Sequence, residues 1–521
     1  MKKLWNIALA GAAALFLLAG CGFVSDSAAG ALPADTAQTQ TAAAADFTPD
    51  PSVSERDASG EYDAAQAQLL SPEGDLTITE AGTYLLSGSY EGMILIEAGE
   101  EDKVQLVLEN AELRNEDGPA IYVRCADKVF LTAAEGTVNS ISDGADYTLV
   151  DEDSTLDAAV FSRADLTING AGTLTITGNY RHAVVSKDDL VVTATDLTVV
   201  AQNVGLNGKD CVKLSGAALS ITAGSDGIRS DNGTDAEKGF ISIVNSTVSI
   251  VSGKDGIQAE TVFTAENAAV TITAGGGSAD AAESCKGVKA GASVTIDGGV
   301  WQIDSRDDAI HAEGSLLIRG GDFTLRSGDD GIHANEKAEI AGGRLSITAY
   351  EGIEGTYVLI SGGEISIAAS DDGINAARKS SAWTPTVEIS GGTVSITMGP
   401  GDTDGIDANG SLIISGGVIS ISGSSPFDYD GSASFTGGTV YVNGQQVSSL
   451  PNQMMGGGRG GFGGGRGGMG FFGDSTAGQG AFSGNPDEQG SFGEAPGGRE
   501  GFHGGRGGMG GFGGGPDGGH P

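Results

Sequence analysis

One short unit carries most of the chemistry in this chain: an acid, Gly, an aliphatic residue, a polar residue, and Ala or Ser. Asp226-Gly-Ile-Arg-Ser230, Asp255-Gly-Ile-Gln-Ala259, Asp330-Gly-Ile-His-Ala334, Asp372-Gly-Ile-Asn-Ala376 and Asp404-Gly-Ile-Asp-Ala408 follow it closely. Lys286-Gly-Val-Lys-Ala290, Asp308-Ala-Ile-His-Ala312 and Glu351-Gly-Ile-Glu-Gly355 are variants. Asp307, Asp329 and Asp371 put a second carboxylate directly before three of these pentads. If successive pentads stack one strand spacing apart, about 4.8 Å, each pair of acids repels by roughly 3 kcal/mol at an effective dielectric near 20. A hard cation between the coils reverses that sign, because Ca²⁺ takes six to eight oxygen ligands. The candidate ligands are Asp307, Asp308, Asp329, Asp330, Glu351, Glu354, Asp371, Asp372, Asp402, Asp404 and Asp407. A solvated acidic face, with Asp as ordinary turn chemistry, is the competing reading.

Three further residue types stand among these acids. His311 and His333 are 22 residues apart and should stack. With Glu354 they could take a transition metal, but a polar stack or a sugar contact is the favoured reading. Arg229, Lys286 and Lys289 supply positive charge that could attract an acidic sugar. Lys286 or Lys289 could also be the base of a calcium-dependent lyase that removes a proton next to a uronate carboxylate. No Ser-His-Asp arrangement, cysteine nucleophile or phosphate loop is evident.

The elements that must position these residues follow from the period. Asp308, Asp330, Glu351 and Asp372 are 22, 21 and 21 residues apart, which is a solenoid signature. Within one repeat, Leu345 and Ile347 alternate with polar neighbours and Ile353 follows a turn. That is period-two strand patterning with one face inward. About 21 residues without a helical stretch give about three short strands per coil, a parallel β-helix. The leucine-rich pattern and the nine-residue calcium-roll period are both absent. Gly-Gly pairs at 298–299, 320–321, 342–343, 362–363, 391–392, 416–417 and 437–438 recur once per coil, as corners that need positive φ. In the stack Ile310, Ile332, Ile353, Ile374 and Ile406 should point inward, with the acids and the residues after the isoleucines outward. Insertions at Asp231–Gly239, Gly276–Ser284 and Arg378–Pro385 should form loops around the pentad face, where function often resides.

Flanking segments set the compartment. Lys2 and Lys3 precede an apolar run from Leu4 to Leu18 that ends in Leu-Ala-Gly-Cys21. The run is short for a membrane span and reads as a signal peptide over 1–21, with Cys21 lipidated as in a bacterial lipobox. Residues 22–71 read as a flexible tether, 72–450 as the β-helix, and 451–521, rich in Gly, Arg and Phe, as a disordered tail. The chain is therefore expected to be an exported lipoprotein, held to the membrane at Cys21 and facing the outside. Cys125, Cys211 and Cys285 are too few and too scattered for a disulfide framework. With 69 Asp+Glu against 28 Lys+Arg, the formal net charge is −41, which disfavours nucleic acid and anionic lipid as partners and suits a cation-binding monomer.

The run Gly82-Thr-Tyr-Leu-Leu-Ser-Gly-Ser89, the stretch from Asp165 to Leu174 and the ordered pentads together resemble the extracellular carbohydrate-binding β-helix proteins of cellulolytic clostridia. The resemblance covers about 72–445. It implies a right-handed parallel β-helix like that of polysaccharide lyases, bound calcium, and affinity for acidic plant polysaccharide, polygalacturonate above all, with cellulose as a further candidate. It carries the calcium role to the pentad acids, while Lys286, with no acid, should leave its coil outside the metal column. The expected function is binding without cleavage. A pectate lyase and a calcium-stiffened adhesin or stalk are the alternatives.

Overall fold

The computed structural model describes residues 47–452, apart from 72–73, 149–154, 279–283 and 401–402. The leader with Cys21, the tail beyond 452 and Asp402 lie outside the described residues. Within them the protein is all-β: 41 strands, and one helical turn at Glu55–Ala58. All strands join one sheet, and through most of it each strand pairs in parallel with the strand three further along the chain. The chain thus returns to the same face once per coil, a solenoid-like arrangement. Its three faces are a pentad face, a second face and a third face, taken in chain order.

Alternation explains why these segments are strands. On the third face, Arg344–Ala349 and Glu364–Ala369 bury every second residue, with Leu345, Ile347, Ile365 and Ile367 inside. Equivalent residues sit in register from coil to coil, so like stacks on like: Ile347 on Ile367, Ile367 on Ile396. The interior is one continuous apolar column. Trp301 lies wholly buried in it, stacked on Phe323 with ring centroids 6.0 Å apart. The Gly-Gly corners behave as expected: Gly321, Gly343 and Gly363 all have positive φ. A Cβ on Gly343 would come within 2.8 Å of the Gly321 carbonyl oxygen, so the corner is closed to larger residues.

At the C-terminal end Gln445–Val447 folds back antiparallel on Thr439–Val442 and covers the last edge. At the other end the structure departs from the expected tether. Gln68–Leu70 already pairs with Tyr84–Leu86, and residues from 47 onward lie against the second face. Asp57 is buried there, paired with Lys128 at 2.8 Å and accepting from the Thr167 hydroxyl at 2.6 Å. Phe47 packs on Phe240, with centroids 5.8 Å apart. This hydrophilic stretch looks unstructured in isolation because its partners come 70 to 200 residues later. Cys211 and Cys285 are buried, whereas Cys125 is partly exposed.

Candidate functional site

The pentad strands align in one register. Ile228, Ile257, Val288, Ile310, Ile332, Ile353, Ile374 and Ile406 form a single inward column, all fully buried. The residues between inward positions form the outward column: Arg229, Gln258, Lys289, His311, His333, Glu354, Asn375, Asp407 and Asp428. One step earlier in the chain, the first pentad residues make their own ladder. The amide of Gly331 donates to Glu351 O at 2.9 Å, and the amides of Gly352 and Gly373 donate likewise to Asp372 and Asp404.

The acids also staple neighbouring coils. Asp308 Oδ1 accepts from the Asp330 amide at 3.1 Å, Asp372 Oδ1 from the Asp404 amide at 3.0 Å, and Asp255 Oδ1 from the Lys286 amide at 2.7 Å. One carboxylate oxygen therefore serves the backbone, leaving Oδ2 for other partners. Asp226 and Asp255, outside the expected ligand set, belong to the same ladder.

Several of these acids are as buried as the core, which a freely solvated face would not give. Asp308 is 3 % exposed, Asp330 4 % and Glu354 4 %. Across these central coils the chain supplies its own cations. Lys286 occupies the ladder position of an acid and places its ammonium 2.6 Å from Asp307 and 2.9 Å from Asp308. Burial disfavours its charge, but the two carboxylates outweigh burial and push its pKa well above the usual lysine value. Burial likewise pushes the Asp308 carboxyl up, and the His311 hydrogen bond and the Lys286 charge override it and hold the carboxyl low. The expected histidine stack is present: His311 and His333 lie 4.6 Å apart at 16°. His311 Nδ1 meets Asp308 at 2.7 Å, and His333 Nδ1 meets Asp330 at 2.6 Å and Glu354 at 2.9 Å. Burial works against charging His333, yet those two carboxylates raise its pKa to about 10. Lys379, from the 378–385 insertion, pairs with Glu354 at 2.8 Å.

Beyond Glu354 this compensation stops. Among the described residues no ion pair reaches Glu351, Asp372, Asp407 or Asp428. Burial, then the charges of Glu354 and Asp372, push the Glu351 carboxyl up to about 7. Burial, then Asp371, Asp404 and Asp428, push Asp372 to about 6. Burial, then Asp372, Asp428 and Asp404, push Asp407 to about 7. Asn375 sits in this column, 8 % exposed. Its amide nitrogen donates to Glu351 at 3.0 Å, and its Oδ1 is buried with no hydrogen-bond partner. Asp428 Oδ1 is orphaned in the same way. The donor set is all oxygen: carboxylates and an amide carbonyl. Such a set fits a hard divalent cation and not a soft one.

The remaining expected residues are spread along the face. Arg229 reaches Asp226 at 3.6 Å and Asp231 at 3.4 Å. Lys289 is half-buried between Gln258 and His311. Asp329 is exposed and Asp371 half-buried. The eleven expected ligands therefore do not form one site. Asp307, Asp308, Asp330 and Glu354 are engaged by Lys286, the histidines and Lys379, whereas Glu351, Asp372 and Asp407 remain open. Among the described residues, ligand atoms converge within 4.8 Å in four groups: Asp307, Asp308 and Asp329; Asp308, His311 and His333; Asp330, His333 and Glu354; and, at a different corner, Asp165, Asp188 and Asp189.

Residues 72–331 and 329–448 match the model of a family described as carbohydrate-binding domain-containing proteins. The chain belongs to that family. The two matched segments meet at 329–331, at the start of one of the stacked pentads. A carbohydrate-binding domain-containing protein of Acetivibrio thermocellus is 34% identical over 131 residues, which is 25% of this chain and 46% of that relative. The chain thus spans under half the length of this curated relative. A solved structure of a polysaccharide lyase-like protein from C. thermocellum, a gadolinium derivative, is 32% identical, covering 44% of this chain and 89% of that one at a TM-score of 0.40.

Proposed function

We propose that this carbohydrate-binding domain protein holds an acidic, uronate-bearing polysaccharide on the C-terminal coils of its pentad face, with calcium as the bridge. The observation that carries the reading is the break in compensation along the ladder. Asp307, Asp308, Asp330 and Glu354 have lysine or histidine partners, whereas among the described residues no ion pair reaches Glu351, Asp372, Asp407 or Asp428, and an orphaned amide oxygen, Asn375 Oδ1, lies among them. Bound there, calcium supplies positive charge that protein and uronate carboxylates can share. Glu351, Asp372 and Asp407, with Asn375 Oδ1, are the oxygen donors this stretch offers such an ion. A chain of formal charge −41 otherwise repels a polyanion such as polygalacturonate. The solenoid is read as a right-handed parallel β-helix, and Cys21 as the lipid anchor that keeps the face outside the cell.

The lyase alternative loses its first base. Lys286 is pinned between Asp307 and Asp308 and holds its proton more tightly than an ordinary lysine. A general base needs the opposite shift. The stalk alternative shares the calcium but not the sugar. Calorimetry decides the metal step: calcium titrated into chelator-stripped protein should bind, and Asp372→Asn with Asp407→Asn should abolish that binding. Unchanged binding in the double variant removes the assignment.

A further inference from the structure

A separate surface lies where the 378–385 insertion crosses onto the second face. Two facts fix the segment in place. Its start is held by the Thr356 hydroxyl, which accepts from the amides of both Lys379 and Ser380 at 2.9 Å. Its end is held by the Pro385 carbonyl, which accepts from the Ser411 amide at 3.1 Å. Between these anchors stands Trp383, 38 % exposed and packed on Tyr357 with ring centroids 4.9 Å apart. The other tryptophan among the described residues, Trp301, is fully buried. A large indole held half in water on an anchored loop offers apolar area that folding does not use.

The surroundings define what could cover it. Register places Lys337, Tyr357 and Thr386 in one outward row, and Glu339, Leu359 and Glu388 in the row beside it. Tyr357 and Leu359 therefore form an apolar centre, with a carboxylate one coil away on each side. Glu339 holds the Lys337 ammonium at 2.7 Å, and Glu388 accepts from the Tyr357 hydroxyl. That ammonium also lies 5.8 Å from the Trp383 ring centroid. The rim is thus rich in hydrogen-bond acceptors and carries two negative charges against one positive. The exposed indole, with the Tyr357 ring tilted 48° to it and acceptors at the edge, matches a pyranose ring, whose C–H face is apolar and whose hydroxyls point outward as donors. A uronate carboxylate would meet Glu339 and Glu388 and be repelled.

We propose that Trp383 and Tyr357, rimmed by Glu339, Glu388 and Lys337, form a stacking subsite for a neutral pyranose. This rests on the carbohydrate-binding reading but not on calcium. The protein then reads two kinds of sugar on adjoining faces: uronates through metal on the pentad face, and neutral rings through aromatic contact on the second. Lys379 joins the two, because the loop that carries Trp383 also sends its ammonium to Glu354 of the pentad column.

The test is calorimetry of the full chain with 1,4-linked gluco-, manno- and galacto-hexaose, and separately with oligogalacturonate, each in calcium and in chelator. At least one neutral hexaose should bind in both buffers. Trp383→Ala should weaken it about tenfold or more, Trp383→Phe should restore most of it, and oligogalacturonate binding should be unchanged. Trp383 is exposed, so these variants should melt like the parent. Neutral binding that survives Trp383→Ala, or that is missing for every hexaose, overturns the subsite. If oligogalacturonate still binds in calcium, only the subsite falls. If neutral binding is present and Trp383-dependent while oligogalacturonate fails, the subsite stands and the calcium reading falls.

Discussion

The Lys286 ammonium lies within hydrogen-bond reach of both Asp307 and Asp308, on the coil that precedes theirs. It does for the central pentads what a bound cation would do: it turns stacked carboxylates from a cost into a contact. Removing one partner of such a buried pair leaves an uncompensated charge, at a cost of about 3–5 kcal/mol. Lys286→Met should therefore lower the melting temperature by several degrees. Adding Asp308→Asn should recover part of the loss, because the orphaned charge goes with it. A Lys286→Met protein that melts like the parent would show that Asp308 does not need this partner.

Much of this architecture is legible in the sequence, and the reason is repetition. Ile332 and Ile353 had to share a face once Asp330 and Glu351 proved to be one period apart, and the Gly-Gly corners gave a second, independent register. The site was harder to read. The pentads show which residues stack but not how crowded the stack is. The pairing of the buried Asp308 and Glu354 depends on Lys286 and His333, which come from neighbouring coils, and on Lys379, which comes from an insertion. Lys286 looked like a missing acid, and only the three-dimensional ladder shows an ammonium filling the gap. Asn375 was legible as a member of the outward column, but not that its amide oxygen would be buried there without a partner. The docked segment around Asp57 was illegible because Lys128 and Thr167 lie far along the chain.

His333 should remain an imidazolium well beyond neutral pH. Its pKa is about 10 in the folded protein against an ordinary value of 6.5, so its contribution to stability is complete below about pH 6.5 and is lost as pH rises through about 10. Nitrogen chemical shifts of the labelled ring, followed against pH, check this directly. A midpoint near 6.5 would mean that Asp330 and Glu354 do not hold the proton.

Glu351, Asp372 and Asp407 have the opposite linkage. Their folded pKa values of about 7, 6 and 7 lie above ordinary carboxylate values, so the native state binds more protons than the unfolded chain. Without metal, their effect on stability is absent near pH 4 and becomes increasingly unfavourable up to about pH 7. In chelator at pH 8, Glu351→Gln with Asp407→Asn should raise the melting temperature, and at pH 4 the same change should do little. In millimolar calcium the order at pH 8 should reverse, with the parent more stable than the variant. A double variant that melts below the parent in chelator at pH 8 would mean that these acids are already compensated.

Incubation with polygalacturonate and calcium should yield no unsaturated uronide by ultraviolet absorbance. Steady product formation that Lys289→Ala abolishes would establish lyase chemistry with Lys289 as its base, despite the commitment of Lys286 to Asp307 and Asp308.

The most direct measurement is affinity electrophoresis through gels containing polygalacturonate. The chain should be retarded in calcium and run freely in chelator, and Asp372→Asn with Asp407→Asn should run freely in both. Retardation that persists in chelator, or that the double variant retains in calcium, would contradict a calcium bridge on the C-terminal pentads.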